Sequence, residues 1–533
     1  MAKFIHLAMI GLKHTVFRLV LIWLILLLTA CASFQPGYFK IYFIDDQTGR
    51  GIPLVEIKST NSVSYVSDSA GLIAMRAGDL DAESLYFSVY SHGYELQEEL
   101  SGFQGIRVKP TAGEIEVVPL RRINIAERLY RVTGEGIYHD SRLVGLAPAL
   151  GHSGELSGGV FGQDSVVNAI YKGQLYWFWG DTRRADGPLG NFEVSGAVSR
   201  LPQAGNNIAD DSIQLTYFVD SDGNARGMCP IEGAGPVWIS GLMVFEEDGQ
   251  EQMFTYYSRV ENVETKLEQG IAVWNDEREI FEKRVEFPLN TPLYPRGQTL
   301  KIRHADQDWF YFGRTFPDVR VRAAKEHILD SKRYEAFTCL KAGSRWRDDT
   351  PPLERNQRGQ LVCSWKADTD LITEKRWRTL IEKGLVKPEE QRWRLVDSKT
   401  GDQITPHNGS VAWNQHRNRW ILIFGQLFGR SLLGEVWYAE ALSPVGPWSA
   451  ARKIVTHNSY SFYNVKQHPY FANGRYLYFE GTYSSWLSGN NESTPRYDYN
   501  QIMYRLDLND PRLPRLLQSN SQVERAPLVT EEG

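Results

Sequence analysis

The sequence predicts an all-β protein: a five-bladed β-propeller over residues 158–516, preceded by a small β-sandwich and interrupted by a partly helical insertion. Three observations carry this. Five runs of aromatic and aliphatic residues, each closed by a small residue and then a polar one, recur at Gln174 to Thr182, Gln252 to Val260, Asp308 to Thr315, Arg419 to Gly429 and Arg475 to Tyr483. Each follows a turn and an earlier β-like run, as in Asp164 to Tyr171 with Lys172-Gly173, or Gln467 to Phe471 with Ala472-Asn473-Gly474. A third run returns after each one, at Phe192 to Leu201, Gly270 to Asn275, Val319 to His327, Gly434 to Ala441 and Gln501 to Leu508. Repeated strand, hairpin and return strand is the pattern of a radial β-architecture.

The chain opens with Lys3, Lys13, His14 and Arg18, then an apolar core from Leu19 to Leu28, then Leu28-Thr29-Ala30-Cys31. The apolar run is short for a membrane span and is followed by a small-residue cleavage site, so residues 1–30 read as a secretory signal. The four residues ending in Cys31 resemble a bacterial lipobox. That resemblance implies cleavage before Cys31 and lipidation of its thiol, and Ala32 after the cysteine implies sorting to the outer membrane.

A length of 533 residues supports two or three domains, and 42% apolar residues suffice for packed cores. Loss of the signal removes three bases and no acid, taking the formal charge from −5 to −8. A mildly acidic surface argues against nucleic acid as a partner. Beyond Cys31 only Cys229, Cys339 and Cys363 remain. They form neither a disulfide framework nor a zinc motif, and Cys339 with Cys363 is the pair expected if a bridge forms.

Residues 37–121 alternate as short strands: Tyr38 to Ile44, Pro53 to Ser59, Ser64 to Ser67, Leu72 to Met75, Ser84 to Tyr90 and Glu114 to Leu120. Short alternating strands at this density predict a β-sandwich. The turns at Thr48-Gly49 and Asp68 to Gly71, with Gly93-Tyr94 near the end, resemble the transthyretin-like, carboxypeptidase-regulatory-like domain, which implies a supporting rather than catalytic role. Residues 122–157 read as a connector. His139, Asp140 and Ser141 within it do not make a triad, because such groups meet through the fold and not along the chain. Residues 346–406 break the β pattern; Asp370 to Lys383 has helical spacing of Leu371, Trp377, Leu380 and Ile381, and Pro388 opens a second short helix. This insertion belongs between blades, as a lid or as decoration. Residues 517–533 form a tail.

Strands in a blade alternate direction, so the start of the inner strand and the end of the second strand emerge on one face. The residues at these places are polar: Gln163-Asp164, Glu232, Arg296, His407-Asn408 and Gln467-His468 at the starts, and Asp181 with Arg183, Arg259, Arg314, Gln426 and Glu480 at the ends. Charged groups gathered in a confined funnel mark binding or catalysis. Hydrolysis of a glycosidic bond needs one carboxyl group that holds a proton and one that is ionised. Asp164 is the expected base or nucleophile, Glu232 the expected general acid, and Asp181 a group that tunes acidity or orients a sugar hydroxyl. Arg183, Arg296, Arg314, His407, Gln426, His468 and Glu480 are the expected substrate-binding set. Trp179, Tyr257, Phe316, Phe428 and Trp486 are candidate stacking platforms.

The stretch from Asp164 to Thr182, an aspartate opening the inner strand and Gly-Asp-Thr closing the second, resembles the first blade of five-bladed furanosidase and arabinanase propellers. It is similar both to family 43 glycoside hydrolases and to the domain of unknown function that includes endo-D-arabinanases. The resemblance implies a base at Asp164 and a substrate role for Asp181. Arg296-Gly297 stands where the family 43 acid is expected, so it assigns no acid.

The function expected is an outer-membrane-anchored glycoside hydrolase with a carbohydrate substrate. Two alternatives stay open: a polysaccharide lyase using His407 or His468 with Tyr463 or Tyr483, and a noncatalytic glycan-binding lipoprotein. No cofactor is expected, and an inner calcium ion held by Asp, Gln and His is the open alternative.

Overall fold

A computed structural model describes residues 37–77, 84–97, 104–146, 157–185, 194–202, 212–347 and 350–516. The signal segment, Cys31 and the 517–533 tail lie outside the described residues. The chain divides into two units, residues 1–123 with 136–154, and residues 124–135 with 155–533. No described helix is long and apolar enough to cross a membrane.

In the first unit eight strands, β1 (Tyr38–Asp45), β2 (Glu56–Ser59), β3 (Ser64–Val66), β4 (Leu72–Arg76), β5 (Leu85–Tyr90), β6 (Tyr94–Leu96), β7 (Gly105–Val108) and β8 (Ile115–Arg122), form two four-stranded sheets. Their orders are β4-β1-β8-β6 and β3-β2-β5-β7. The inward residues of the alternating strands, Phe39, Ile41, Phe43, Ile57, Ile73, Phe87 and Val118 among them, make one core, as a sandwich requires. Asp140 and Ser141 serve this unit as structural groups: the Asp140 carboxylate accepts from Ala74 N at 2.9 Å, and Ser141 N donates to Asp68 at 2.8 Å.

The second unit is a β-propeller. Its first strand, β9 (Glu127–Arg131), comes from the segment read as a connector, and β10 (Val160–Gln163) follows. Five sheets then succeed one another. The first holds β11 (Val167–Tyr171), β12 (Gln174–Trp179), β14 (Ser195–Ser199) and β15 (Thr216–Tyr217), while β13 (Thr182–Arg184) pairs with β10. The second runs β16 (Val237–Glu247), β17 (Gln250–Val260), β18 (Lys266–Asn275) and β19 (Ile280–Glu286). The third runs β20 (Gln298–His304), β21 (Gln307–Gly313), β22 (Val319–Arg322), β23 (Glu335–Thr338) and β24 (Ser364–Ala367). The fourth joins β25 (Val396–Asp397) to β26 (Pro406–Asn414), β27 (Arg419–Gln426), β28 (Val436–Ala441) and β29 (Ala450–Val455). The fifth is β30 (Ser461–Gln467), β31 (Tyr476–Ser484) and β32 (Asn500–Asp507), with β9 as its outermost strand.

The inner strands β11, β16, β20, β26 and β30 all line one cavity of about 510 Å³, which fixes their arrangement around a common axis. Between adjacent sheets the aromatic residues that mark the repeats pack into successive cores, one around Phe178, Trp274 and Phe281, the next around Phe245, Phe254 and Phe310. The ring closes where Trp177 of β12 meets Phe471 at 6.2 Å and shares a core with Tyr478 and Met503 of the last sheet.

Two readings of the sequence change here. In the last sheet the inner strand is Ser461–Gln467, and residues 469–471 form a short 3-10 turn. Pro469 lacks the N–H that a ladder needs, so the strand stops before it. Gln467 and His468 therefore stand at the far end of the strand, and Tyr463-Asn464 take the place expected for them. The insertion is helical over α3 (Glu374–Glu382), after the short α1 (His139–Leu143) and α2 (Lys325–Ile328). Its strands β24 and β25 extend the outer edges of the third and fourth sheets, and a disulfide between Cys339 and Cys363 ties its base. Cys229 is a buried free thiol.

The closing strand is anchored by Thr133, whose hydroxyl donates to Asn500 Oδ1 at 2.9 Å and accepts from Gln501 N at 3.2 Å. Thr133→Val keeps the shape and leaves two buried groups unpaired, which costs roughly 1–3 kcal/mol for each. A lower unfolding midpoint of the second unit in urea, with the first unit's transition unmoved, is the expected result.

Candidate functional site

Asp164 lies between β10 and β11, at the start of the first inner strand. Its backbone is fixed by two bonds, Asp164 N to Asp181 O at 3.2 Å and Gly180 N to Asp164 O at 2.7 Å. The two aspartates are thus held side by side by the backbone of the Gly-Asp-Thr motif. A Cβ on Gly180 would stand 2.4 Å from Asp164 Oδ1, so the carboxyl group occupies the space a side chain would need. That is the physical reason for glycine before Asp181.

The last sheet completes the site. Tyr463 of β30 donates its hydroxyl to Asp164 Oδ2 at 3.1 Å. The Tyr499 phenol, at the entry to β32, hydrogen-bonds to both Asp164 and Tyr463. Asn464 donates to the Ser165 hydroxyl, and Asn408 of the fourth sheet donates to Asn464. From the second sheet, Trp238 Nε1 donates to Asp181 Oδ1 at 2.9 Å. Four sheets therefore contribute to the surroundings of one pair of carboxyl groups.

The backbone is strained where these groups meet. Ser165 (φ 57), Asn464 (φ 54), Arg496 (φ 62) and Tyr499 (φ 60) all take left-handed conformations without being glycine. Each costs on the order of 1–3 kcal/mol, and such residues persist where the fold over-determines them, commonly at functional sites. Bulges break the inner-strand register between Tyr463 and Lys466, between Ser240 and Met243, and between Pro406 and Gly409. These bulges re-aim side chains near the starts of those strands.

Burial, and then the charge of Asp181, push the Asp164 carboxyl up to about 7, against hydrogen bonds from Tyr499, Ser165 and Tyr463. Burial also raises Asp181, while the Trp238 indole holds it back. Burial and the neighbouring carboxylates push the Tyr499 phenol far above its ordinary value. It stays a neutral donor.

Of the other expected residues, Arg183 sits beside this pair, its guanidinium 5.5 Å from the Tyr499 ring and 3.9 Å from Asp498 Oδ2. His407 is half-buried, and burial with the charge of Arg314 pushes it down to about 4, so it is a neutral imidazole at pH 7. Arg314 is exposed and Arg296 pairs with Asp318 at 2.5 Å. Glu232 is exposed in the loop before β16, above Arg259, which donates to Ala234 O at 2.7 Å. No hydrogen bond joins Glu232 to either aspartate among the described residues. Both ends of the Gln426 amide hold the turn after β27, accepting from Trp437 Nε1 and donating to Phe428 O, each at 2.8 Å.

His468 and Glu480 are corrections. Glu480 lies mid-strand in β31, 0% exposed, and His468 is 1% exposed, with Nε2 3.3 Å from Glu480 Oε1. Lys466 shares this interior cluster and burial pushes it down to about 8. These groups support the inner strands and cannot touch a polymer at the mouth. Among the stacking candidates, Trp179 and Tyr257 are core residues and Phe316 stacks on Trp393 at 5.0 Å, whereas Phe428 (71%) and Trp486 (60%) are open to solvent. Tyr483 is also core. Among the described residues no cluster of His, Cys, Asp and Glu is placed to hold a metal ion.

Sequence reasoning passed over Trp238 and Tyr499, and named Tyr463 only for a different chemistry. The Asp-Tyr-Asn-Gln context of Tyr499 carries no motif. Its role arises only when the ring closes.

No protein-family model matches the chain, and no curated protein matches it. Solved structures similar to it include an exo-beta-1,3-galactanase from Phanerochaete chrysosporium with beta-1,3-galactotriose, at 10% identity over 68% of this chain and 64% of that one, TM-score 0.35. Others are the GH43_1 enzyme from Xanthomonas citri complexed with xylotriose (11%, 67% and 88%, TM-score 0.31) and a GH43 beta-xylosidase/alpha-arabinofuranosidase from a compost microbial metagenome (13%, 65% and 92%, TM-score 0.31). All three scores lie below 0.5, so the fold rests on the sheet topology above and the chemistry on the residues of the site.

The raised proton affinity of Asp164 makes a stability prediction. The folded state holds its proton up to about pH 7, whereas the unfolded chain releases it near the ordinary value of 3.8. Folded protein binds more protons in that window, so stability falls as pH rises through it. Asp164→Asn is expected to melt at a higher temperature than the wild type above pH 7, and the two melting curves are expected to converge near pH 4.

Proposed function

We propose that the protein is a glycoside hydrolase, built on a five-bladed propeller, in which Asp164 and Asp181 share the chemistry. One observation carries this: two carboxyl groups locked together at the mouth, of which Asp164 is pushed much further toward the protonated form. A pair of acids whose environments separate their proton affinities is the condition for one to act as acid and the other as base or nucleophile. Asp164 then protonates the leaving oxygen, and ionised Asp181, oriented by Trp238, attacks the sugar or activates water. This exchanges the role the sequence suggested for Asp164, because closure of the ring packs Tyr463 and Tyr499 against it and leaves it only partly exposed. Glu232, exposed and without a hydrogen bond to the pair among the described residues, is assigned to a contact with the bound chain.

A lyase base is less well supported: His468 is sealed in the interior, and His407 at about 4 is a weak proton acceptor. The lipobox at Leu28 to Cys31 supports a tethered, exported protein, which suits an enzyme acting on polymers outside the cytoplasm.

The test is turnover of arabinans, xylans, galactans and algal polysaccharides by residues 32–533. Asp164→Asn and Asp181→Asn should each lower kcat/KM on the order of 10²- to 10⁴-fold, with the wild-type rate falling as pH rises above about 7, where Asp164 loses its proton. Full activity in either variant removes that residue from the chemistry. Binding without turnover by the wild type would make the protein a glycan-binding module.

A further inference from the structure

The loop before β20 and the ends of β18 and β21 bring together a group of cations that the hydrolysis reading leaves unused. Tyr294, in the loop leading to β20, stacks on Tyr256 of β17 with ring centroids 4.9 Å apart and planes 21° apart. Lys266 of β18 places Nζ 4.0 Å over the Tyr294 ring and donates to Tyr256 Oη at 2.9 Å and Gln269 Oε1 at 3.1 Å. Arg296 follows two residues after Tyr294 and bonds Asp318. Arg314, at the end of β21, lies close enough to act on Tyr256, Tyr294 and His407, and its carbonyl accepts from Gly409 N at 2.6 Å.

Three permanent cations thus converge on one tyrosine pair with a single carboxylate, Asp318, among them. Among the described residues neither Lys266 nor Arg314 has a carboxylate partner. Burial pushes the Tyr294 phenol up, yet Lys266, Arg296 and Arg314 outweigh it and hold it below the ordinary tyrosine value. His407, the next ionisable group, stays neutral beside Arg314 and adds no charge. Surface cations without acids cost self-repulsion, and their field draws in an anion. Arginine in particular offers a planar fork that matches a carboxylate or an oxyanion ester.

We propose that Lys266, Arg296 and Arg314 form a subsite for an anionic substituent on a sugar chain, a uronate carboxylate or a sulfate ester, bound while a neighbouring glycosidic bond lies at Asp164 and Asp181. The inference rests on the hydrolase reading only for that last placement. Tyr294, backed by the buried Tyr256, gives the subsite an aromatic wall, and the aspartates keep the anion away from the first sheet. The chain is therefore read with its charged residue over the second and third sheets.

Calorimetry on the full protein tests this without turnover. The ligands are polygalacturonate, alginate and sulfated galactan oligosaccharides, with neutral galactan and arabinan oligosaccharides of equal length, each at about 50 mM and about 500 mM salt, which spans strong and weak screening. At least one anionic chain should bind about tenfold or more tighter than the neutral chains at low salt, as charge-assisted hydrogen bonds imply, and should lose that advantage at high salt. Which anionic chain binds tells carboxylate from sulfate. Arg314→Gln and Lys266→Gln should each abolish most of the preference, leaving charged and neutral chains within about twofold of each other, with circular dichroism confirming the fold. Equal or better binding of neutral chains by the wild type, no binding by any anionic chain, or retention of the preference in both variants overturns the subsite. Turnover of a neutral polymer with normal dependence on Asp164 would leave the hydrolase reading standing alone.

Discussion

A sheet with a free edge cannot close a ring, and the second unit depends on how its last edge is covered. β32 pairs with β9, drawn from a segment that precedes the rest of the unit by about thirty residues of sequence. The closure is more than a ladder. Asn500 reaches Phe161 O at 3.1 Å, and Gln501 reaches both Gln163 O at 3.0 Å and Thr482 Oγ1 at 2.7 Å. These buried amides leave few alternatives, because an unmade hydrogen bond there costs a full desolvation penalty. They bind β32 to β10, the strand that leads into Asp164.

The geometry of the site follows from that closure. Tyr499 immediately precedes the two amides that lock β32, and its left-handed backbone is held in place by them on one side. Gly162 lies so close to the Tyr499 carbonyl that a Cβ would stand 2.2 Å from it. The strain at Ser165, Asn464 and Tyr499 is thus supported by interactions distributed over two sheets, which is how a fold keeps unfavourable backbone where chemistry needs it. A site assembled from the first and last sheets exists only in the finished ring. No fragment of the unit contains it.

This also explains what the sequence made legible. The five repeats announce themselves through aromatic runs and glycine turns, because each second strand must fill the space between two sheets, and period and burial are written in residue type. Asp164 and Asp181 are legible for the same reason: both flank the first such run. The last inner strand begins six residues before the expected Gln467, because Gln467 to Phe471 has the same apolar texture as Ser461 to Gln467, and only the missing amide of Pro469 separates them. That shift promotes His468 to the mouth and hides Tyr463-Asn464, while Glu480 is placed there by ending the second strand before Ser484. Tyr499 and Trp238 were illegible in a stronger sense, since tyrosine and tryptophan near strand ends are far more often core than ligand, and contact across the ring has no local signature.

The charged groups of the second unit keep different company. Arg259 has Glu268 at 3.1 Å, and Arg320 and Glu335 pair at 2.7 Å. Among the described residues neither Asp164 nor Asp181 has a cation partner. Their hydrogen bonds come from phenols, a hydroxyl and an indole, all neutral. An arginine at contact would lower a carboxyl group's proton affinity by one to three pH units and fix it as an anion. Neutral donors orient the same oxygen atoms at a smaller electrostatic effect, so burial and mutual repulsion still decide who holds the proton. A propeller that pairs Arg259 and Arg320 with carboxylates, and surrounds Asp164 and Asp181 with tyrosine and tryptophan, leaves Asp164 able to exchange a proton near neutral pH.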